Sequence, residues 1–517
     1  MVLAGCAAHF RSAFAEDCNH NGIEDTCDID CAAPGCDVPG CGESEDCNQN
    51  GTPDECDLSR VFAGSQGGQG GGGARVYQYD AGGWWTDLTP EPAWNASAVM
   101  DLAYFKAHVY AGVQTGTGLG GGSGEGRVWR HDGGRAWTLV GTMDKSVMVL
   151  ELIGNQLYAA TSDGTDEKGR LYRCTVCDGT DWEFLGDTGS AAYGFRSGIV
   201  SSLCGQPQLF LDDLNMDNFW RYSLLPEGLL RVDHQYGSCI WDFAEFDSEY
   251  DEGYLYAGAW VGSAGPVYRS PETFACGASN VDFTSVHQTG VNNWALETFA
   301  GKLYIGGGGT AGEQGAKLWD FDGNMWSTEP IFTRPTTIFG EGISALATQR
   351  DEYLYIGLGL PDGYYYDGDG RAEVWRTCDG VSFELISPSD EYGHGIFGGG
   401  VQCLLAVGDS SRDRNGNEIP DECDIAPGFS EDCDDGSVPD EYQTDNDGDG
   451  LIDPCDEDDD SRVNNVCYDF EIGWVQLIQG YTTRLAKTRG LARRGLRSSR
   501  CSTTLWKCGP SLTGRGV

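Results

Sequence analysis

Basic residues are scarce in this sequence of 517 residues, which holds 33 Lys and Arg against 80 Asp and Glu. The formal net charge of −47 is repelled by the phosphates of nucleic acids and by anionic membranes. We therefore expect no nucleic-acid partner. Long apolar runs are also lacking, since none approaches the ~20 residues of a transmembrane helix. No transmembrane span is predicted.

Histidine is rare as well, and the seven histidines show no metal-binding spacing of the H-E-x-x-H kind. Cysteine, in contrast, is abundant: 21 residues indicate disulfide bonding in an oxidising compartment. Residues 1–15 end in Ala13-Phe14-Ala15, a signal-cleavage pattern, and Leu3-Ala4-Gly5-Cys6 resembles a lipoprotein box. We expect a secreted or cell-surface protein whose N-terminal signal segment is truncated here.

The acidic residues are concentrated in two segments. Residues 16–57 hold 13 Asp and Glu without any Lys or Arg, and residues 409–460 hold 21 Asp and Glu against Arg412 and Arg414. Such runs are often solvated and disordered. Here, however, the acids recur at a fixed internal spacing, which favours metal binding.

Two twelve-residue loops near the N-terminus carry that spacing. Oxygen ligands stand at positions 1, 3, 5, 9 and 12, a glycine at position 6 allows a sharp turn, and position 7 offers its backbone carbonyl. This pattern predicts Ca²⁺ as the cofactor. The ligands of the first loop are Asp17, Asn19, Asn21, Ile23, Asp25 and Asp28. Those of the second are Asp46, Asn48, Asn50, Thr52, Asp54 and Asp57.

Three further loops follow in the acidic segment near the C-terminus. One has Glu418 at the glycine position, one is degenerate and ends in Gln443, and one is a clean match. Their predicted ligands are Asp413, Asn415, Asn417, Ile419, Asp421 and Asp424; Asp432, Asp434 and Asp440; and Asp445, Asp447, Asp449, Leu451, Asp453 and Asp456.

The loops resemble dockerin-type and thrombospondin type 3-type calcium repeats more than sensor EF-hands, because position 12 is Asp and helix pairs are not predicted around them. Dockerins alternate loop and helix, but the link Cys31–Cys41 is too rich in Pro and Gly for a helix. Cohesin-like partners, which a dockerin resemblance implies, are therefore the weaker interpretation. Cysteines at positions 2 and 11, in the pairs Cys18/Cys27 and Cys47/Cys56, could brace each loop.

Between the acidic segments, a short pattern of apolar, aromatic and small residues returns seven times, as in Leu157-Tyr158-Ala159-Ala160. A steady period of roughly 50 residues indicates a repeat architecture of the β-propeller type. The aromatic positions are Phe62, Tyr110, Tyr158, Phe210, Tyr256, Tyr304 and Tyr355.

Each repeat divides into four predicted strands, a to d. In the third repeat they are Met148–Leu152, Leu157–Ala160, Gly169–Arg173 and Asp181–Leu185, separated by turn signals. Strand d is predicted at Trp85, Trp137, Phe283, Trp326 and Phe383 in other repeats and is least clear in the fourth. Four antiparallel strands per repeat make a propeller blade.

The first repeat has no strand a before Val61, and an unassigned strand follows the seventh repeat at Val401–Val407. We therefore predict an all-β fold: a seven-bladed propeller over 59–408, closed by this C-terminal strand, which removes the open sheet edge. Calcium loops occupy 16–58 and 409–460, with little regular structure. Residues 461–517, with ten Lys and Arg, are predicted to be a disordered basic tail without an assigned function.

Asp-Gly turns that precede a Trp, such as Asp132-Gly133 and Asp322-Gly323, resemble the Asp-box turns of sialidase-like propellers, and the Tyr/Trp spacing resembles kelch repeats. This resemblance implies the fold only. The b–c loops are long and rich in glycine, at Gly67–Gly73, Gly116–Gly124 and Gly306–Gly309. Their face is the predicted place for an unidentified glycan or protein ligand.

Glu151 and Glu297 occupy matching strand-a positions, seven residues before Tyr158 and Tyr304, and are predicted to line the central channel. Paired carboxylates can perform glycoside hydrolysis, although ordinary polar strand positions explain them as well. Our first hypothesis is an extracellular calcium-binding protein whose propeller binds a ligand without catalysis. The alternative is a secreted carbohydrate-active enzyme with a dockerin-like appendage.

Overall fold

A computed structural model describes the chain with gaps. The described residues are 23–36, 38–39, 41–42, 44, 46–47, 53–54, 60–67, 73–79, 85–90, 94–106, 108–115, 124–162, 168–189, 194–203, 205–213, 218–224, 227–233, 239–248, 251–260, 265–271, 283–308, 315–334, 342–349, 353–359, 372–387, 396–397 and 399–408. The chain divides into two compact units, residues 1–423 and 424–517. All of the described residues belong to the first unit.

A short helix, α1 (Asp25–Ile29), lies in the first acidic loop. The cysteines around it form the disulfides Cys27–Cys36 and Cys31–Cys41. The predicted Cys18/Cys27 pair is therefore wrong, because the Pro/Gly-rich link folds back onto α1: the Gly42 N–H donates to the Cys27 carbonyl at 3.0 Å. Cys47 is disulfide-bonded, while Cys56 lies outside the described residues. With five residues, α1 is the longest helix in the described part of the chain, far too short to cross a membrane.

The rest of the described chain is built almost entirely from antiparallel strands. Five separate four-stranded sheets are found among the described residues. In pairing order they are β28 (Val401–Val407), β1 (Arg60–Ser65), β2 (Val76–Tyr79) and β3 (Trp85–Asp87); β4 (Ala98–Phe105), β5 (His108–Gln114), β6 (Gly126–His131) and β7 (Trp137–Met143); β8 (Ser146–Leu152), β9 (Leu157–Ser162), β10 (Arg170–Cys174) and β11 (Glu183–Asp187); β12 (Phe195–Ser201), β13 (Gln208–Asp213), β14 (Asn218–Leu224) and β15 (Glu227–Asp233); and β16 (Cys239–Ser248), β17 (Asp251–Trp260), β18 (Pro266–Arg269) and β19 (Thr284–Gln288).

A sixth sheet has eight strands. Its halves are joined by one residue pair, Gly308 with Gly342, which links β21 to β24. The first half contains β20 (Asn292–Phe299), β21 (Lys302–Gly308), β22 (Ala316–Phe321) and β23 (Phe332–Arg334), and the second contains β24 (Gly342–Gln349), β25 (Tyr353–Gly359), β26 (Val374–Thr377) and β27 (Glu384–Leu385).

The sheets are arranged as a propeller, with one strand of each sheet packed against the corresponding strand of the next. We call these the innermost strands; in order, β28, β4, β8, β12, β16, β20 and β24 each contact the following one, and β24 contacts β28. The predicted strands a to d of the third repeat coincide with β8 to β11 to within two residues. The strand predicted at Val401–Val407 is β28, which pairs with β1.

The repeated aromatic residues form the core between the sheets, as predicted. All seven, from Phe62 to Tyr355, are at most 2% exposed. The residue two positions after the aromatic one is glycine in five repeats, and the innermost strand of the next sheet packs directly on it. A Cβ added at Gly112 would lie 2.7 Å from Val147 Cγ1. The repeated pattern therefore encodes an aromatic core residue followed by a point of close approach between sheets.

Replacing Gly357 by Ala tests this close approach, because its Cβ would lie 2.7 Å from Val401 Cγ1. Val401 is β-branched and fully buried, so it cannot move away easily, and we expect a loss of about 1–3 kcal/mol in the free energy of unfolding. Gly228→Ala is the control, since nothing lies within 4 Å of its added Cβ. Equal denaturant midpoints for both variants would refute the packing argument.

Tryptophans near strand d connect neighbouring sheets through hydrogen bonds. The indole N–H of Trp137 donates to the Leu88 carbonyl at 2.8 Å, and that of Trp182 donates to the Val140 carbonyl at 2.6 Å. Trp326, predicted within strand d, lies outside β23 and pairs with Phe321 in an isolated antiparallel bridge. Its ring stacks on that of Phe321 with centroids 4.4 Å apart, which holds it at the end of the hairpin.

Candidate functional site

A β-bulge interrupts each innermost strand at the same point of its pairing. Between Val99 and Asp101, for example, the register to β5 shifts, and Met100 is the extra residue. A bulge leaves one residue without a cross-strand partner and redirects its side chain. The seven bulge residues are Met100, Met148, Arg196, Trp241, Trp294, Ser344 and Gln402.

All seven bulge residues line one cavity of about 830 Å³ that the innermost strands surround. Its volume lies within the usual range for small-molecule sites, roughly 300–1,000 Å³. The wall is acidic on one side. Its acidic lining residues are Asp101, Glu151, Asp242, Glu245 and Glu297, and among the described lining residues they face a single basic side chain, Arg196.

Glu151 and Glu297, the pair singled out by sequence, both line this cavity. Each stands opposite the core tyrosine of its own sheet, Tyr158 or Tyr304. Burial raises the pKa of Glu297 to about 8, with Asp242 adding to the effect. Burial, followed by the charges of Asp101 and Asp242, raises the pKa of Glu151 well above its usual value. At pH 7 Glu297 is therefore mostly a neutral carboxylic acid, and burial opposes the ionisation of Glu151 in the same direction.

Sequence reasoning missed three further acids of the lining: Glu245, and Asp101 and Asp242, which follow bulge residues directly. The N–H groups of Leu102 and Leu150 donate to the two oxygens of Asp101, each at 2.8 Å. Leu150 belongs to the next innermost strand, so this carboxyl group joins two sheets. Burial raises the pKa of Asp101 to about 7.

Asp242 repeats this arrangement three sheets further on. It accepts the N–H of Phe243 at 2.9 Å and, from the next innermost strand, that of Leu296 at 2.8 Å. Its pKa is raised to about 7 by burial. A fixed distance to the core tyrosine could not have found both residues, because Asp101 lies 9 positions before Tyr110 and Asp242 lies 14 before Tyr256. The signal was the acid after the bulge residue, in Met100-Asp101 and Trp241-Asp242.

In the folded protein Glu297 keeps its proton up to a pH of about 8, whereas in the unfolded chain it loses that proton above about pH 4.5. Holding this proton stabilises the folded state relative to the unfolded chain. This contribution to stability is complete below the unfolded pKa and is lost as pH rises through about 8. In thermal melts between pH 5 and pH 8.5 we expect Tm to fall with rising pH, and to fall less steeply for Glu297→Gln. Glu329→Gln, at an exposed position, should keep the wild-type slope; matching slopes in both variants would contradict the assignment.

Aromatic and cationic groups meet among the bulge residues. The Arg196 guanidinium lies 4.5 Å from the ring centroid of Trp241, and Trp241 and Trp294 have their centroids 6.4 Å apart. Trp is the best aromatic partner for a cation. In this part of the wall one positive group, that of Arg196, already lies against an indole face.

The predicted metal ligands are described only in part. Asp25 and Asp28 lie on α1 and are 4% and 0% exposed, and Asp54 accepts the Cys47 N–H at 3.0 Å. Ile23 and Asp46 are also described. Among the described residues no group of three or more His, Cys, Asp or Glu is arranged for a metal. The remaining predicted ligands lie outside the described residues: Asp17, Asn19, Asn21, Asn48, Asn50, Thr52, Asp57 and all those from Asp413 to Asp456.

Cys174 and Cys177, spaced as C-x-x-C, form a local disulfide. Most of the long b–c loops lie outside the described residues, including 68–72, 116–123 and 309–314. The ligand-binding face predicted there stays a prediction.

Comparisons with protein families and with curated proteins find no match. Solved structures with a similar fold include a periplasmic gluconolactonase from Pseudomonas aeruginosa, with 13% identity, a TM-score of 0.48 and coverage of 68% of this chain and 100% of that one. A 6-phosphogluconolactonase-like protein from Bacteroides uniformis has 12% identity, a TM-score of 0.46 and coverage of 68% and 100%. At this identity the likeness concerns the propeller fold alone.

Proposed function

We propose that this protein is a secreted or cell-surface β-propeller that binds a small ligand in its central cavity, and that its acidic loops bind Ca²⁺. One observation carries the first part: a cavity of about 830 Å³ that is lined by acids and by all seven bulge residues. Ligand sites are typically concave, of this size, and lined by a few convergent polar groups beside apolar and aromatic ones.

The proposal includes a ring of seven blades closed by β28. A single residue pair joins the halves of the eight-stranded sheet, Gly308 with Gly342, whereas β20 and β21 pair over most of their length. Each half has the four strands of a blade. The pairing of β28 with β1 gives the first blade its fourth strand. It covers the edge of β1 that would otherwise be unpaired.

Binding is favoured over catalysis because two of the acids already have structural partners. Both oxygens of Asp101 and both oxygens of Asp242 accept backbone N–H groups. Glu297 uses only one oxygen in this way, accepting the Thr298 N–H at 2.8 Å, so Glu297, Glu151 and Glu245 are the acids of the described lining best able to meet a ligand. A general base or nucleophile needs a further group that orients it, and in the described part of the chain we identify no side chain that does this for Glu151 or Glu297.

A hydrolase acting on glycans is the second candidate. It is supported by the pKa of about 8 at Glu297, since a carboxyl group that stays protonated at neutral pH can act as a general acid. A panel of glycan substrates tests it. If hydrolysis is detected, Glu151→Gln or Glu297→Gln should reduce it by at least about a hundredfold, whereas Glu329→Gln should not; a panel without turnover eliminates this candidate.

Ligand binding in the cavity can be tested by narrowing it. Met100 is a bulge residue in the lining, and Met100→Trp adds volume there. Met325→Trp makes the same change at a side chain that is 66% exposed and outside the lining. We would screen sugars, amines and carboxylic acids by thermal shift and calorimetry. A ligand that stabilises the wild type and Met325→Trp but not Met100→Trp supports the site; equal binding to all three places the ligand elsewhere and refutes it.

The calcium proposal is supported by the repeated loop spacing and by α1. Asp25 and Asp28 are three residues apart on one helix, so their side chains lie on the same face, and both are buried. Residues 16–57 contain no Lys or Arg. Carboxylate oxygens at this spacing fit a hard divalent cation, which would order loops that have few apolar residues.

Calorimetric titration with Ca²⁺, after treatment with a chelator, tests the calcium proposal. We expect Asp28→Asn to lose one bound ion or to weaken its binding by at least about tenfold, because a ligand charge is removed. Glu24→Gln is the matched control, since Glu24 is exposed and falls between the predicted ligands. An unchanged titration in Asp28→Asn, or no calcium uptake by the wild type, would refute the proposal.

A further inference from the structure

The two sides of the central cavity differ in chemistry. The acids that line it belong to β4, β8, β16 and β20, whereas β24 and β28 contain no charged residue at all. On the β24 and β28 side, the lining is uncharged: the partly exposed apolar side chains of Leu346, Leu404, Leu405 and Ala406 lie there beside the polar ones of Ser344, Thr348 and Gln402. A ligand in this cavity therefore touches an acidic wall and an uncharged, largely apolar wall together.

The acidic wall has a large excess of acidic residues over basic ones. Asp101, Glu151, Asp242, Glu245 and Glu297 line it, and the guanidinium of Arg196 is the single basic group in the described lining. That guanidinium already lies against Trp241. Five acids and one base in a confined space disfavour an anionic ligand, whose charge opposes ionisation of the acids, and they favour a ligand that brings positive charge and allows the acids to ionise.

The aromatic bulge residues also favour a cationic ligand. Trp241 and Trp294 are neighbours in the lining, and an indole face attracts ammonium and guanidinium groups, as it does Arg196. The apolar side chains of β24 and β28 offer burial to a hydrocarbon body, worth about 25 cal/mol per Å² of apolar area removed from water.

We propose that the ligand of the cavity is an amphipathic organic cation: an amine or guanidinium group held by the acidic wall and the tryptophans, attached to an apolar body held by β24 and β28. The inference rests on the proposed binding function of the same cavity and names its ligand class. The hydroxyl groups of a sugar would form hydrogen bonds with the acids. The polar surface of the sugar would then lie against the apolar side chains of Leu404 and Leu405.

The glutamates give this ligand class a distinct signature. Glu297 is mostly protonated at pH 7 because its pKa is raised to about 8, and burial raises the pKa of Glu151 as well. An ammonium group beside them favours the ionised carboxylate and lowers those pKa values. Binding of the cation should therefore release about one proton at pH 7, which a neutral ligand of the same shape does not cause. The charged groups around the two glutamates are Asp101, Asp242, Glu245 and Arg196, while β24 and β28 add none.

The experiment compares n-hexylamine, n-hexanol and hexanoate, which share one apolar chain and differ in the charge of the head group. Calorimetry on the full chain at pH 7, in two buffers of different ionisation enthalpy, gives the affinity and the number of protons released. We expect hexylamine to bind at least about tenfold more tightly than hexanol, and hexanoate to bind more weakly than both.

Variants identify the groups that are responsible. The double variant Glu151→Gln/Glu297→Gln should lose about tenfold in hexylamine affinity and the proton release, with hexanol binding unchanged, because the amide keeps the size of the side chain and removes its charge. Glu329→Gln should behave like the wild type. Leu404→Ala should weaken hexylamine and hexanol equally.

The outcomes separate this inference from the function it rests on. If hexanol or hexanoate binds as tightly as hexylamine, if no proton is released, or if hexylamine does not bind, the cationic class is overturned. Met100→Trp decides the function itself. When Met100→Trp blocks whichever ligand does bind, the cavity remains the binding site and only the ligand class is wrong. If Met100→Trp blocks the binding of no ligand, both the proposed ligand class and the proposed binding site are refuted.

Discussion

Ending the chain after Gly400 is expected to abolish the cooperative unfolding transition, whereas ending it after Gly408 is expected to preserve it. The first truncation removes β28 (Val401–Val407), which is hydrogen-bonded to β1 along its length and packs against β4 and β24. Without it, β1 becomes an unpaired edge strand, and two other innermost strands lose a neighbour. Exposed strand edges and apolar surface promote aggregation.

The comparison can be made by calorimetry and by light scattering during heating. Both truncated chains lack the acidic C-terminal segment and the basic tail, so the seven residues of β28 and Gly408 account for the difference between them. Similar melting curves for the two chains would contradict the proposed closure of the propeller. Restoring residues 401–408 as a separate peptide, with recovery of the transition, would add direct support.

Replacing Tyr158 by Ala is expected to lower the free energy of unfolding by about 3–5 kcal/mol, the range for deleting a large buried aromatic side chain. Tyr158 is 1% exposed, and its ring lies 5.5 Å from that of Tyr222 in the next sheet. The substitution therefore leaves a cavity between two sheets, which their paired backbones cannot close. Denaturant titration followed by fluorescence or circular dichroism measures the change.

Tyr158→Phe removes the hydroxyl group and keeps the ring, so it distinguishes the contributions of these two groups to the free energy of unfolding. The hydroxyl donates to Gln156 Oε1 at 3.0 Å in a half-buried position, so its loss should cost about 1 kcal/mol. A large loss for Tyr158→Phe, or a small one for Tyr158→Ala, would mean that the repeated aromatic position serves a purpose other than packing.

Much of the fold was predictable because the same packing problem recurs in every sheet. A buried aromatic residue recurs in all seven repeats, and in five of them a glycine two positions later lets the innermost strand of the next sheet approach closely, so Tyr304 and Gly306 repeat what Tyr110 and Gly112 do. Pattern recognition works for such positions. It worked less well at Trp326, where stacking on Phe321 keeps the aromatic ring outside β23 although the residue type suits a strand.

The candidate site was only half predictable. Glu151 and Glu297 could be found because each lies at a constant distance from its tyrosine, which follows from their cross-strand pairing. Asp101 and Asp242 escaped because the hairpins that follow them differ in length, which breaks any fixed spacing. Disulfides show the same limit: the pairing of Cys27 with Cys36 depends on how a loop folds back, which sequence spacing does not determine.

The bulge residues have a consequence for how such a protein diversifies. Each is the extra residue of its strand, without a partner in the cross-strand register, and each lines the cavity. The seven positions are chemically varied, with two methionines, two tryptophans, an arginine, a serine and a glutamine. Substitutions at these positions therefore change the chemistry of the cavity one sheet at a time, while the register of the strands and the aromatic core stay in place.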